Sequence, residues 1–335
     1  MVMFAAVLLY SVFGGADFGS GVWDLTAGDA RRGARTRRLI DHAIGPVWEA
    51  NHVWLIFVLV FLWSAFPTAF AAMMRTLAIP FWLAGLGIVA RGAGFAFRKY
   101  APTLRWAQAT GVIFATASLI TPFFFGTIAG GIASGRVPAE GTGDLWTSWL
   151  NPTSILGGVL AVATCTFLAG VFLTADAQKL GWTSLMEELR KKSLVGGAVT
   201  GVVVLAGIPV LALDQGMLID GLLGPALPLV LMSGIAGLTT MYRLNQKQCR
   251  QARVSAVVAV ALVVAGWGVA QYPSILGNDL SIDDAAGADS TLIGLLVATG
   301  LAAVIVVPAL AYLLFLADSN KVGSAAEEPS SRTPG

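Results

Sequence analysis

Residues 44–67 read IGPVWEANHVWLIFVLVFLWSAFP. The stretch begins as a polar, aromatic-rich turn and becomes an apolar run of membrane length. Its first two helical turns carry Trp48, Glu49, Asn51, His52 and Trp54. An acid, an amide and an imidazole at membrane depth are costly, and such groups line a pathway or find a partner. Glu49 and His52 are three residues apart, so a helix puts them on one face.

The whole chain shares this character. Of its 335 residues, 56% are hydrophobic and 12% are charged, against about a quarter charged in a soluble domain. A polytopic membrane protein follows, and the net charge of +2 says little about partners. The two cysteines, Cys165 in an apolar run and Cys249 in a basic loop, indicate neither a disulfide framework nor a thiolate metal site. The apolar N-terminus has no basic leader and no small-residue cleavage site, so it reads as a spanning helix, not a signal peptide.

A helical span needs about 20 mainly apolar residues. By that measure nine segments are expected, over 1–22, 47–72, 76–97, 108–131, 154–177, 194–215, 221–242, 255–272 and 291–316. Alternate loops are basic. The first holds Arg31, Arg32, Arg35, Arg37 and Arg38, the third Arg98, Lys99 and Arg105, the fifth Lys179 and Arg190 to Lys192, and the seventh Arg243, Lys247, Arg250 and Arg253. The loops between them carry Glu140, Asp144, Asp214, Asp220, Asp279, Asp283, Asp284 and Asp289, with only Arg75 and Arg136 opposed. The positive-inside rule then puts the basic loops in the cytoplasm, the N-terminus outside and the C-terminus inside. Residues 318–335 read as a short disordered cytoplasmic tail.

This orientation brings Asp17, near the inner end of the first span, level with Glu49, Asn51 and His52 at the start of the second. Arg91 and Arg98 end the third span at the same side. Asp17 is read either as a carboxylate neutralised by Arg91 or as a proton-relay acid, since burial raises a carboxyl pKa. Glu49 and His52 are either a hydrogen-bonded pair orienting their helix or a relay, an imidazole beside a carboxylate being able to pass protons near neutral pH. His52 as a haem ligand is a third reading. With only His42 and His52, both at one face, the chain cannot alone build a transmembrane pair of bis-histidine haems. Arg98 reads as an interface anchor or charge partner. Arg91, two turns deeper, requires a partner, with Asp17 and Glu49 the candidates. Most tryptophans fit interfacial belts. No Walker motif, zinc spacing, nucleic-acid motif or soluble domain occurs, which excludes an ATP-driven machine for this chain alone.

At these residues the sequence resembles the second subunit of cytochrome bd-type quinol oxidases. Gly15-Ala-Asp17-Phe-Gly19-Ser-Gly21 is similar to the acidic, glycine-rich end of that family's first helix. Trp48-Glu49-Ala-Asn51-His52-Val-Trp54 resembles its tryptophan–acid–x–Asn–x–Val–Trp signature, followed by Ala65-Phe-Pro67. Arg91–Arg98, Gly266-Trp-Gly-Val-Ala-Gln271-Tyr272-Pro273 and Asp283-Asp-Ala-Ala286 resemble later signatures in the same order. Glu49 stands where many members have Asp, His52 where Gln or Glu is usual, Ala50 where Gly is common, and Ala96 where an acid is frequent.

The resemblance implies an all-α membrane protein of nine helices, two four-helix bundles (about 1–131 and 154–317, the latter including the last helix) with one peripheral helix. It implies a bacterial or archaeal plasma membrane, and a partner, subunit I, that ligates haem b and haem d and binds quinol. It further implies small accessory transmembrane subunits, lipid, and in some members a structural quinone. The chain itself is implied to be haem-free and to support quinol oxidation coupled to dioxygen reduction, with proton uptake from the cytoplasm. Glu49, His52 and Asp17 are then the relay candidates, and Arg91, Asn51, Trp48, Trp54 and Arg98 the structural or charge partners. The competing classes are a secondary transporter, whose site would sit near the midplane across an inverted repeat, and a purely structural scaffold.

Overall fold

The computed structural model describes residues 1–29, 31–44, 48–214, 217–277 and 280–325. Thirteen helices and one small hairpin make up the described chain. In order these are α1 (Val2–Leu25), α2 (Ala34–Ile44), α3 (Trp48–Ala65), α4 (Pro67–Thr76), α5 (Ala78–Lys99), α6 (Leu104–Ala133) and α7 (Pro152–Lys179). There follow α8 (Thr183–Leu213), α9 (Met217–Leu223), α10 (Leu227–Asn245), α11 (Cys249–Gln271), β1 (Ser274–Leu276), β2 (Leu280–Ser281), α12 (Ile282–Ala285) and α13 (Asp289–Ala325). Eight of the helices are long and apolar enough to cross a membrane unaided, and α3 with α4 makes a ninth span only as a bent pair.

That bend corrects the sequence reading, which takes 47–72 as one continuous span. The chain turns by 115° at Phe66. Pro67 cannot donate a backbone hydrogen bond, so it ends α3 and occupies the first turn of α4, where a missing N–H costs nothing. The Ala65 carbonyl, freed by the break, accepts instead from Gly287 N at 2.8 Å. The first basic loop is likewise more than a loop. It contains α2, whose buried Thr36, Leu39, Ile40 and Ile44 recur at helical spacing and face the core. α8 starts at Thr183, eleven residues before the expected span. α10 follows the short α9, and α13 continues as helix to Ala325, beyond the expected start of the tail at 318.

Helix packing groups α1, α3, α5 and α6 on one side and α7, α8, α10 and α11 on the other, with α1, α6 and α7 in contact at the centre. Glycine makes the central approach close: a Cβ on Gly19 would overlap the Cys165 backbone of α7, and Gly126 of α6 faces Gly157 of α7. α13 lies apart, touching α3, and its most apolar stretch contains no buried residue.

Three apolar clusters result. One, at the basic-loop end, joins Trp23 of α1, Leu39 and Ile40 of α2, and Leu173 and Leu189 of α7 and α8. Another, at the opposite end, joins Leu77, Ile132, Trp149 and the hairpin's Leu276 and Leu280. The third sits between α1, α7 and α11 around Leu168, Val171 and Ala256. At the acidic-loop end, Asp214 receives Arg136 Nη1 at 3.0 Å and the Thr153 hydroxyl at 2.6 Å, so α8 is tied to the start of α7. The Arg136 hydrogen bond holds the Asp214 carboxyl low, at about 2.

Candidate functional site

The polar residues singled out from the sequence converge where α1, α3, α5 and α6 meet. Arg91 is 2% exposed, among the largest fully buried side chains of the molecule. Its Nη2 donates to Asp17 Oδ1 at 2.6 Å and to the Asp17 carbonyl at 3.3 Å, and its Nε donates to Ser118 Oγ at 3.0 Å. The guanidinium also lies 4.9 Å from the Phe18 ring centre and 5.1 Å from that of Phe114, a favourable placement for a desolvated cation. Asp17 is therefore the partner that Arg91 required. Space for this arrangement comes from small residues: a Cβ on Gly21 would strike Ser118, and one on Gly94 would strike the α6 backbone.

A second rung lies one step towards the basic-loop end. Arg98 pairs with Asp24 and with Asp41 of α2, while Arg37 Nε donates to Asp24 Oδ1 at 2.8 Å. Asp17 and Asp24 are seven residues apart on α1, as Arg91 and Arg98 are on α5. Each pair spans the same 74 residues of sequence, so α1 and α5 run parallel in one register through both rungs. Arg98 is thus a charge partner and not a simple headgroup anchor. Asp24, Arg37 and Asp41 are the participants that the sequence reading missed, and the matched seven-residue repeat was the available signal. Asp41 marks the half-exposed outer edge of this network. Burial raises its carboxyl pKa, against the opposing pull of Arg98.

The α3 residues flank the first rung. Asn51 is buried, with its amide nitrogen 3.4 Å from the Phe13 carbonyl of α1. His52 Nδ1 lies 2.7 Å from the Trp48 carbonyl one turn earlier. Since a carbonyl only accepts, Nδ1 carries the proton in that bond and Nε2 remains available as an acceptor. The imidazole meets Phe18 and Trp48 edge to face, and Trp48 packs on Phe95. Trp54 is half-buried farther along α3. Glu49 falls within α3, but its side chain lies outside the described residues, so its pairing with His52 is not part of this geometry.

The site therefore offers alternating carboxylates and guanidiniums, rising from an exposed rim to a dry interior, with an imidazole beside the inner rung. Breaking a buried pair of this kind by removing one partner costs about 3–5 kcal/mol, because the other charge is left unpaired. Among the described residues no group of three or more His, Cys, Asp or Glu comes together to hold a metal ion.

Comparison with known proteins puts a family to this architecture. A model of the family described as cytochrome bd terminal oxidase subunit II matches residues 1–317. The cytochrome bd ubiquinol oxidase subunit 2 of Bacillus subtilis is 31% identical over 163 residues, 48% of this chain and 47% of that protein. The cytochrome bd-I ubiquinol oxidase subunit 2 of Escherichia coli K12 is 27% identical over 210 residues, 59% of this chain and 54% of that one. The matched part thus spans about half the length of these relatives. Among solved structures, a chain of the bd oxidase from Geobacillus thermodenitrificans superposes with a TM-score of 0.73, over 94% of this chain and 96% of its own. The two are 21% identical, so that likeness shows the fold alone. On the match over residues 1–317, the chain belongs to the cytochrome bd terminal oxidase subunit II family.

Proposed function

We propose that this chain is the haem-free second subunit of a quinol oxidase and that its charged ladder serves proton uptake from the cytoplasm. Haem b and haem d supply the electron transfer and oxygen chemistry in such a complex. The donor set of this chain does not suit them: it contains two histidines, both at one end, so axial ligation and quinol oxidation are assigned to subunit I. Small accessory subunits, lipid and a structural quinone belong to the same expectation, and nucleic acid does not.

The observation that carries the proposal is the placement of the ladder, from a half-exposed rim to two buried rungs. Asp41 is half-exposed, Asp24 is 3% exposed, and Asp17 is 4% exposed one step farther in, each paired to an arginine. A fixed guanidinium favours the charged form of the carboxylate beside it, so a proton that reaches such a group is passed on and not retained. His52, whose Nε2 can accept when Nδ1 donates to the Trp48 carbonyl, stands beside the inner rung. Glu49 on the preceding turn is proposed as the point of proton capture, with His52 next and Asp17 deeper. The basic loops face the cytoplasm in this reading, in accord with the positive-inside rule. Residues 1–131 and 154–317 are proposed as two helical bundles of one membrane domain, which as a whole pairs pseudo-symmetrically with subunit I.

The same pairing favours a second reading, a scaffold whose acids only hold α1 to α5. The two separate in one experiment. The chain is tagged, purified with its partner from native membranes, and compared with its Glu49→Gln and Asp17→Asn variants. On the relay reading, quinol-dependent oxygen uptake falls in Glu49→Gln while the reduced-minus-oxidised spectrum of b- and d-type haem is unchanged. A fully active Glu49→Gln complex removes Glu49 from the route. Variants that change yield and not rate support the scaffold. A colourless chain with no haem-bearing partner sinks the oxidase assignment.

A further inference from the structure

Arg91 satisfies only one oxygen of the Asp17 carboxylate. Asp17 Oδ2 is buried and has no hydrogen-bond partner among the described residues, and neither has the buried hydroxyl of Tyr10. One is a pure acceptor and the other a donor, and an unsatisfied buried group of either kind costs about 1–3 kcal/mol. They lie on the same helix. Seven residues place two side chains nearly on one face of a helix, about 10 Å apart along the axis.

The Tyr10 ring reaches Gly14, which lies between the two on this face. Long side chains on a helix ordinarily lean towards its N-terminus, which would carry the hydroxyl away from Asp17. Here the ring instead lies forward across Gly14, where an added Cβ would sit 2.9 Å from Tyr10 Cε2 and 3.1 Å from Cδ2. Phe18 and Phe125 hold the ring edge to face from either side, at centroid distances of 6.3 and 6.0 Å. The hydroxyl makes no direct bond to the Asp17 carboxylate, whose charge nevertheless acts on it. The other groups facing this carboxylate are Arg91 of α5 and Cys165 of α7, with Ser118 of α6 bonded to Arg91.

We infer that Tyr10 Oη and Asp17 Oδ2 hold a water molecule between them, and that Tyr10 is a positioning residue for the Asp17 carboxylate. The water donates one hydrogen to Oδ2 and accepts one from the phenol, so both buried groups are satisfied by a ligand of one small donor–acceptor. Its second hydrogen remains free to point deeper into the bundle. The binding site rests on two buried, unpartnered atoms and on the placement of the Tyr10 ring between them. Its consequence for turnover rests on the proposed relay role of Asp17.

The test uses the assembled complex. A high-resolution density map of the wild type should show a solvent peak within hydrogen-bond distance of both atoms, and a Tyr10→Phe complex should lose it. Oxygen uptake by Tyr10→Phe should fall about two- to tenfold, the factor carried by one hydrogen bond, with the haem spectrum unaltered. Gly14→Ala, which pushes the ring aside and keeps the hydroxyl, should lose the same peak. A wild-type map that resolves other internal waters and shows none here overturns the site. Slow turnover in Asp17→Asn with full turnover in Tyr10→Phe overturns the positioning role and leaves the relay reading standing. Full turnover in both removes Asp17 from the proton route, while the map still decides the site.

Discussion

Arg91 concentrates the physics of the site in one side chain. It is buried to 2% exposure and satisfied on three sides, by Asp17, by Ser118 and by two aromatic faces. Lysine cannot reproduce this, because a point charge with no planar fork neither reaches Asp17 and Ser118 together nor stacks on Phe18 and Phe114. Arg91→Gln strands the Asp17 carboxylate in a dry interior and should lower unfolding free energy by about 3–5 kcal/mol. The paired variant Arg91→Gln/Asp17→Asn removes both charges and should recover most of that loss. Thermal unfolding of the purified complex reads the difference, and equal damage in the single and double variants would show that the pair contributes nothing beyond packing. The pairing of Asp17 with Arg91 was legible in the sequence, since a deep intramembrane arginine has few partners to choose from. The second rung was not read, because Arg98 ends its helix and a terminal arginine already has an explanation in the headgroups. Glu49 and His52 share a helix face by spacing alone, and nothing in that spacing says what the face meets.

The break between α3 and α4 shows what hydropathy misses at the level of an element. The run from 47 to 72 is apolar throughout, and apolarity reports depth in the bilayer without reporting direction. Pro67 supplies the missing information only when read by position: it is tolerated in the first turn of a helix and not within one. The bend persists because its freed carbonyl has a partner, Gly287 N to Ala65 O at 2.8 Å, contributed from far along the chain. A proline at 287 deletes that donor and leaves a carbonyl without its partner, at a cost of about 1–3 kcal/mol. Alanine keeps the N–H, and its Cβ would meet the Ala65 and Ser64 carbonyls no closer than 3.4 Å. Gly287→Pro should therefore lower the melting temperature clearly more than Gly287→Ala. Two variants that melt alike would show that this hydrogen bond does not hold the bend.

For the molecule as a whole, the number of spans and their alternating loop charge were readable from composition, while the grouping of helices into two bundles came only from the family resemblance. In a bilayer, lipid tails are as apolar as leucine, so composition does not distinguish a face that meets lipid from one that meets protein. α13 illustrates the point. Its sequence is as apolar as that of any central helix, yet its main contact among the described residues is with α3 and its most apolar stretch contains no buried residue. Lipid can replace that small contact with little loss, whereas α1, α6 and α7 interlock through closely packed glycines. A chain ending after residue 288 keeps Gly287, the hairpin and both rungs of the ladder. It should insert, purify, and unfold within a few degrees of the full chain. Gross aggregation or a melting temperature as low as that of Arg91→Gln would mean that α13 is part of the folded core. Normal melting with loss of the haem-bearing partner would place the function of α13 in assembly, the one role left to a helix that its own chain barely touches.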